Sequence, residues 1–276
     1  MPSTRRTFFS GTAAAALAAT QVRADSAYPE SGAPKIGVAS YSLRKFPRAQ
    51  AIAMIQRLGV KYVSIKSFHL PYESTPDEIR AARAEFENAG LTILSGGNVP
   101  FDKPDQADIR RKFEYAKLAG MPMLVCAPTH ETLPLLVPYV REYDIRLAIH
   151  NHGPEDKQFP SPQSVLAAVK DLDPRIGLCI DVGHTMRAGS DPVESAQEAG
   201  SRLFDMHMKD LKAKTSDAQC PVGDGIMPIT GIFKQLQRMG YTRGVMLEYE
   251  ADENAPLEPM MKSIGYERGV LAGLHG

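Results

Sequence analysis

Arg146-Leu147-Ala148-Ile149-His150, followed by Asn151-His152-Gly153, is a short apolar run that stops on polar groups. Leu147, Ala148 and Ile149 carry no polar side chain between them. A strand of this kind is buried on both faces, which is the pattern of a parallel sheet rather than of an antiparallel one with a solvated side. Met123-Leu124-Val125 has the same character. Moving outward in both directions, eight such runs alternate with helical patterns: Lys35–Tyr41, Lys61–Ile65, Leu91–Leu94, Pro122–Cys126, Arg146–His150, Gly177–Asp181, Leu203–Met208 and Gly244–Glu248. They recur about every 25–40 residues, the length of a strand–helix unit.

The helices between them carry boundary signals. Thr75-Pro76-Asp77-Glu78 combines a capping hydroxyl, a proline at the first helical position and an acid three residues on. Ser161-Pro162 and Asp191-Pro192-Val193-Glu194 are similar. Gly59, Gly90, Gly120 and Gly240 each follow a helical run, where a left-handed terminal residue is expected. Eight units in a region of about 250 residues predict a single (β/α)8 TIM barrel over 35–276. The alternative, an open doubly wound sheet, lacks its phosphate-binding glycine turn here, because Gly96-Gly97 ends a strand without the required spacing.

Residues 1–24 read differently. A basic start, a moderately apolar middle of about ten residues and a small-residue exit at Val22-Arg23-Ala24 have the pattern of an export signal. Arg5-Arg6 with Thr7-Phe8-Phe9 resembles a twin-arginine signal, which implies a folded protein exported to the periplasm; 25–34 then reads as a linker. The 276-residue chain balances 32 Lys and Arg against 32 Asp and Glu, and removal of Arg5, Arg6 and Arg23 would leave it slightly acidic. That balance gives no reason to expect a nucleic-acid partner. No segment after the signal has the run of about 20 apolar residues that stable membrane insertion needs. Three cysteines, Cys126, Cys179 and Cys220, are too few for a disulfide scaffold. An oligomer is left open.

Polar residues collect at the strand ends. Five of the seven histidines (His69, His150, His152, His184 and His207) stand there. In a barrel these ends face one mouth. One ligand from each of four neighbouring strands, His150, Asp181, His207 and Glu248, supplies the converging donors that a divalent metal needs. Two imidazoles with two carboxylates suit Mn, Co, Fe or Zn, and Mg less well. Tyr41 and Arg44, after the first strand, are candidates to line the same mouth. Gly223-Asp224-Gly225 reads as a tight turn, and Lys209 and Asp210 could pair at the rim.

The segments Ala148-Ile149-His150-Asn151-His152-Gly153, Asp181-Val182-Gly183-His184, Met206-His207-Met208-Lys209-Asp210 and Leu247-Glu248 resemble the sugar phosphate isomerase/epimerase family, the xylose-isomerase-like TIM barrels. The resemblance implies a metal held by Glu, Asp, His and Glu at the last four strand ends. Asp181, His207 and Glu248 match three of these; His150 stands where many relatives have Glu. It also implies a carbohydrate substrate and proton removal α to a carbonyl, the opening step of isomerisation, epimerisation and β-elimination. Glu248, His150 and Lys66 are then the candidates to move the proton, Lys66 replacing a second common Glu. With one carboxylate of the family's pair gone, a symmetric two-Glu epimerisation is in doubt, and a lyase or dehydratase acting on a keto-inositol or 3-keto-glycoside is the rival. A non-catalytic sugar- or metal-binding protein is a further alternative. His69, His152, His184 and Lys209 are the candidate substrate-binding residues.

Overall fold

The structure, a computed structural model, describes residues 32–214 and 218–275. The expected export signal, and the linker up to residue 31, lie outside the described residues. Eight parallel strands close into a barrel: β1 (Lys35–Ala39), β2 (Tyr62–Ile65), β3 (Thr92–Phe101), β4 (Met123–Pro128), β5 (Arg146–His150), β6 (Ile176–Asp181), β7 (Leu203–Met208) and β8 (Gly244–Leu247). The last strand pairs with the first, Lys35 opposite Gly244 and Val38 opposite Leu247. Lys35 Nζ reinforces that seam by donating to the Thr242 carbonyl at 2.7 Å.

The helices are α1 (Arg48–Arg57), α2 (Pro76–Asn88), α3 (Gln106–Leu118), α4 (Val137–Tyr143), α5 (Pro162–Val169), α6 (Val182–Arg187), α7 (Pro192–Ala199), α8 (Ile229–Arg238) and α9 (Leu257–His275). The expected caps form. Thr75 accepts from the Glu78 N–H while Glu78 reaches back, and Ser161 and Asp191 cap α5 and α7. Gly59 and Gly120, just past α1 and α3, both adopt φ of 69°, where a side chain would be strained.

Two elements differ from the sequence reading. β3 does not stop at Leu94; it runs through Gly96-Gly97 to Phe101, with an irregular register against β4 between Gly96 and Val99. At Gly97 (φ 116°) a Cβ would collide with the Val125 carbonyl, so these glycines let two strands approach and bend rather than end one. The loop after β7 contains a two-stranded antiparallel ribbon, Asp210–Leu211 with Gln219–Cys220, too short to read from periodicity.

Alternation along each strand sets what faces the barrel axis. Leu147 and Ile149 of β5, like Leu178 and Ile180 of β6, belong to the large core under the helices. Ala148 and Cys179 belong to a separate interior cluster with Met123, Val125 and Phe204. His150 and Asp181 lie two residues further along the same inward faces. All three cysteines are free and buried.

One buried group is out of keeping with its surroundings. Glu267 on α9 is fully buried, and neither carboxylate oxygen has a hydrogen-bond partner. Burial pushes its pKa from 4.5 up to about 8, with Arg268 opposing. The folded state therefore holds a proton that the unfolded chain releases near 4.5. Stability from this group is intact below that pH and is lost as pH rises through 8. Glu267→Gln should leave the unfolding free energy little changed at pH 5. At pH 9 it should stabilise the fold by about 3–5 kcal/mol, read from urea unfolding at the two pH values. Equal shifts at both would contradict a buried neutral carboxyl.

Candidate metal and substrate site

The four strand-end residues converge. One donor atom from each of His150, Asp181, His207 and Glu248 lies within 4.8 Å of all the others, and all four residues are buried. The register explains it: Asp181 is paired with His207 across β6 and β7, and His207 with Met246 across β7 and β8. Glu248 is the first residue past β8, its N–H still bonded to the Met208 carbonyl at 2.9 Å.

Each side chain is aimed. His150 Nε2 lies 2.9 Å from His207 Nδ1 and 3.5 Å from Asp181 Oδ2. His207 Nδ1 lies 3.2 Å from Glu248 Oε2. Asp181 caps α6 with Oδ1, accepting the His184 N–H at 2.8 Å, while Oδ2 is buried without a hydrogen bond. The Asn151 side chain accepts the Asp181 N–H at 3.0 Å and donates to Thr185 at 3.1 Å, fixing the backbone that carries Asp181.

Two ring nitrogens and two carboxylate oxygens directed at one another form a donor set that fits a divalent cation. Cys179 lies close enough to complete a triad with the two histidines. Burial, then Asp205, keeps its thiol well above the usual range, which makes it a poor rival ligand.

Electrostatics keep this cluster ready for a cation. Burial pulls His150 well below its ordinary value, and His207 and His152 add to the effect, so the ring is neutral. Burial alone would raise Asp181; Lys209 and His184 outweigh it and hold the carboxyl well below its usual range. For Glu248, burial is outweighed in the same way by His207, Lys66 and Lys209. A neutral imidazole at His150 and ionised carboxylates at Asp181 and Glu248 are forms that ligate.

Above the cluster opens a cavity of about 210 Å3 lined by Tyr41, Lys66, Ser67, Phe68, Asn98, His150, His152, His184, Glu248 and Glu250. Lys66 at the end of β2 pairs with Glu248 Oε1 at 3.2 Å. His152 and His184 form the opposite wall, their ring centroids 5.2 Å apart. His184 Nδ1 lies 3.0 Å from Arg187 Nη1, and His152 Nδ1 lies 3.3 Å from His150 Nδ1. Burial, with His184, lowers His152 from its ordinary value.

The structure places His69 and Lys209, two of the expected substrate-binding residues, outside the cavity lining, and turns Lys209 and Asp210 to different partners. His69 is not among the cavity's lining residues. It is buried, with Nδ1 2.9 Å from Ser40 Oγ and Nε2 3.2 Å from the Leu43 and Phe46 carbonyls. Its ring is spent tying the loop after β2 to the loop after β1. Lys209 and Asp210 do not pair. Lys209 turns inward to Asp181, Glu248 and Glu250 at 3.0, 3.2 and 2.7 Å, so it neutralises carboxylates beneath the cavity rather than lining it. Asp210 instead accepts backbone N–H groups of Leu211, Gly223, Gly225 and Met227, which shapes the Gly223–Gly225 turn. Asp224 meets Lys262 near the surface, in keeping with a plain turn residue.

Ser67, Phe68 and Asn98 line the cavity without having been singled out. All three lie in or beside irregular loop or bulged-strand segments, where side-chain direction is not periodic.

Residues 52–268 match the xylose isomerase-like TIM barrel family. The chain belongs to that family. Over 144 residues it is 24% identical to an inosose dehydratase of Lacticaseibacillus casei, covering 46% of this chain and 48% of that one. The chain thus spans about half the length of the curated relatives it matches. A structure of D-psicose 3-epimerase from Clostridium cellulolyticum H10 with D-tagatose superposes with a TM-score of 0.72 at 16% identity, covering 86% and 99% of the two chains. A structure of the IOLI protein with a bound zinc atom gives 0.72 at 17% identity, covering 87% and 98%. At these identities the structural likeness establishes the fold. Among the described residues no helix is long and apolar enough to cross a membrane.

Proposed function

We propose that the protein is a metal-dependent sugar isomerase or epimerase that removes the proton α to the carbonyl of a keto sugar or related polyol. The observation that carries this reading is the four-donor cluster of His150, Asp181, His207 and Glu248 directly under a polar cavity of monosaccharide scale. Two of the relatives named above, an inosose dehydratase and a D-psicose 3-epimerase, bear names that point to substrates of this class, which supports the substrate part of this reading.

His150, Asp181, His207 and Glu248 would hold a divalent cation, which would supply electrophilic stabilisation for negative charge developing on the substrate. This chain's own groups do the rest. His150 has both ring nitrogens turned to His207 and His152, so it serves as ligand and not as base. Glu248 Oε1, facing Lys66, is placed to take the α-proton. Lys66 is placed to hydrogen-bond the developing oxyanion and to return a proton, and His152 and His184 orient hydroxyls from the far wall. Incubation of metal-loaded protein with a panel of keto sugars in D2O should give deuterium at the carbon next to the carbonyl, read by NMR. No metal-dependent exchange across hexuloses, pentuloses and oxidised glycosides would sink the proposal.

A second reading, β-elimination by a lyase or dehydratase, has one observation in its favour. The two carboxylates lining the cavity, Glu248 and Glu250, both follow β8, and Glu250 is taken up by Lys209 and Gln219 at 2.7 and 2.9 Å. The facing wall carries imidazoles. Two-sided epimerisation needs a base on each face, whereas elimination needs one base and an acid. An ultraviolet-absorbing enone product would distinguish the two. Residues 1–24 are proposed as an export signal that places this chemistry outside the cytoplasm.

A further inference from the structure

Phe68 is 56% exposed, the most exposed large hydrophobic residue among those described, yet it stands at the lip of the polar cavity. An aromatic ring exposed beside a binding site offers a ligand an apolar face with a defined geometry. Its position is fixed from below. The loop after β2 turns sharply, with the His69 and Leu70 N–H groups bonded to the Lys66 carbonyl at 2.9 and 3.2 Å. The buried His69 ring then locks this turn against the loop after β1. Phe68, between these anchors, is turned outward.

From the side, Tyr41 meets Phe68 edge to face, 5.6 Å between centroids at 68°. Tyr41 is in turn covered by Arg44, whose guanidinium carbon lies 4.6 Å from the ring centre and whose Nη2 pairs with Glu253 at 2.9 Å. The lip is therefore a braced aromatic ledge, with its conformational cost met before a ligand arrives.

The cavity below it is small. Its volume of about 210 Å3 lies under the ~300 Å3 at which pockets for larger ligands begin. That is the scale of a single sugar ring, and Phe68 stands at the outer edge of the cavity, where a group attached to such a ring would pass. We infer that Phe68, backed by Tyr41, is a stacking subsite for a second ring joined to the reacting sugar by a glycosidic bond, so that the substrate class is a glycoside rather than a free monosaccharide. The apolar C–H face of a pyranose and the face of an aryl aglycone both suit such a ledge. This inference rests on the reading of the cavity as a sugar site, but it is tested by binding alone.

Calorimetric titration of the metal-loaded full chain would compare glucose, lactose and phenyl β-glucoside. The two-ring ligands should bind about 10-fold more tightly than glucose, a difference of about 1.4 kcal/mol. Phe68→Ala should reduce that ratio to about twofold or less, and Phe68→Trp should keep it. A twofold or smaller advantage in the unaltered protein, or an advantage that survives Phe68→Ala, would overturn the inference. The arms also assign the second ring: an advantage for lactose alone marks a sugar, and for phenyl glucoside alone an aromatic aglycone. Because no turnover is read, a failed deuterium exchange leaves this outcome standing.

Discussion

His207→Ala should lose the divalent metal while keeping the barrel. His207 has the central place in the cluster, with Nδ1 2.9 Å from His150 and 3.2 Å from Glu248. Removing it strips one of four donors and leaves the remaining three around a gap. Loss of a group that merely orients a ligand costs about 10–100-fold in metal affinity, so loss of a ligand should exceed ~100-fold. Any activity should fall below about 1% of the unaltered protein's. Metal content by plasma emission after dialysis, with circular dichroism as the fold control, checks both halves. Asp181→Asn is the companion variant: it keeps the shape and the α6 cap acceptor but removes the charge that balances Lys209. Full metal stoichiometry in both variants would show that the ligand set is wrong.

Lys66→Met should separate chemistry from metal binding. The methionine side chain roughly preserves volume, and Glu248 keeps Lys209 and His207 as partners, so the buried carboxylate is not stranded. Metal content should therefore be close to normal. If Lys66 hydrogen-bonds the developing oxyanion and returns the proton, kcat should fall by about 10²–10⁴ with a much smaller change in KM. A purely structural ion pair predicts the reverse: near-normal kcat with lower thermal stability.

The barrel was legible because its signals are local and repeated: apolar runs of the right length, helix caps at Thr75, Ser161 and Asp191, and glycines at helix ends. Strand ends were legible for a related reason. A His or Asp that terminates an apolar run must go somewhere polar, and in a closed parallel sheet all such ends go to one place. What escaped reading was whatever depended on partners distant in sequence. His69 looked like its fellow histidines, but its acceptors belong to the loop after β1. Lys209 and Asp210 are adjacent, and adjacency suggested a pair, whereas the chain turns them to different partners. Gly96-Gly97 carried the composition of a turn and the structural role of a close strand contact. Phe68 gave no signal, since an aromatic residue in a loop reads as core until its exposure is known. Glu267 falls on the i, i+4, i+7 stripe of Met260 and Ile264 on α9, so its spacing marks the inward face while its charge argues for the outward one.

The seam between β1 and β8 has a consequence for how the molecule comes to exist. Lys35 and Thr242 are 207 residues apart, and contacts that close so long a loop form late because the chain must give up its entropy before they repay it. Synthesis can lay down β5, β6 and β7, and with them His150, Asp181 and His207, while the sheet is still open. Glu248 arrives with the strand that shuts it. Completion of the donor set and completion of the barrel are thus one event, and a cation that requires all four groups would reach its full affinity only in a chain that has finished folding.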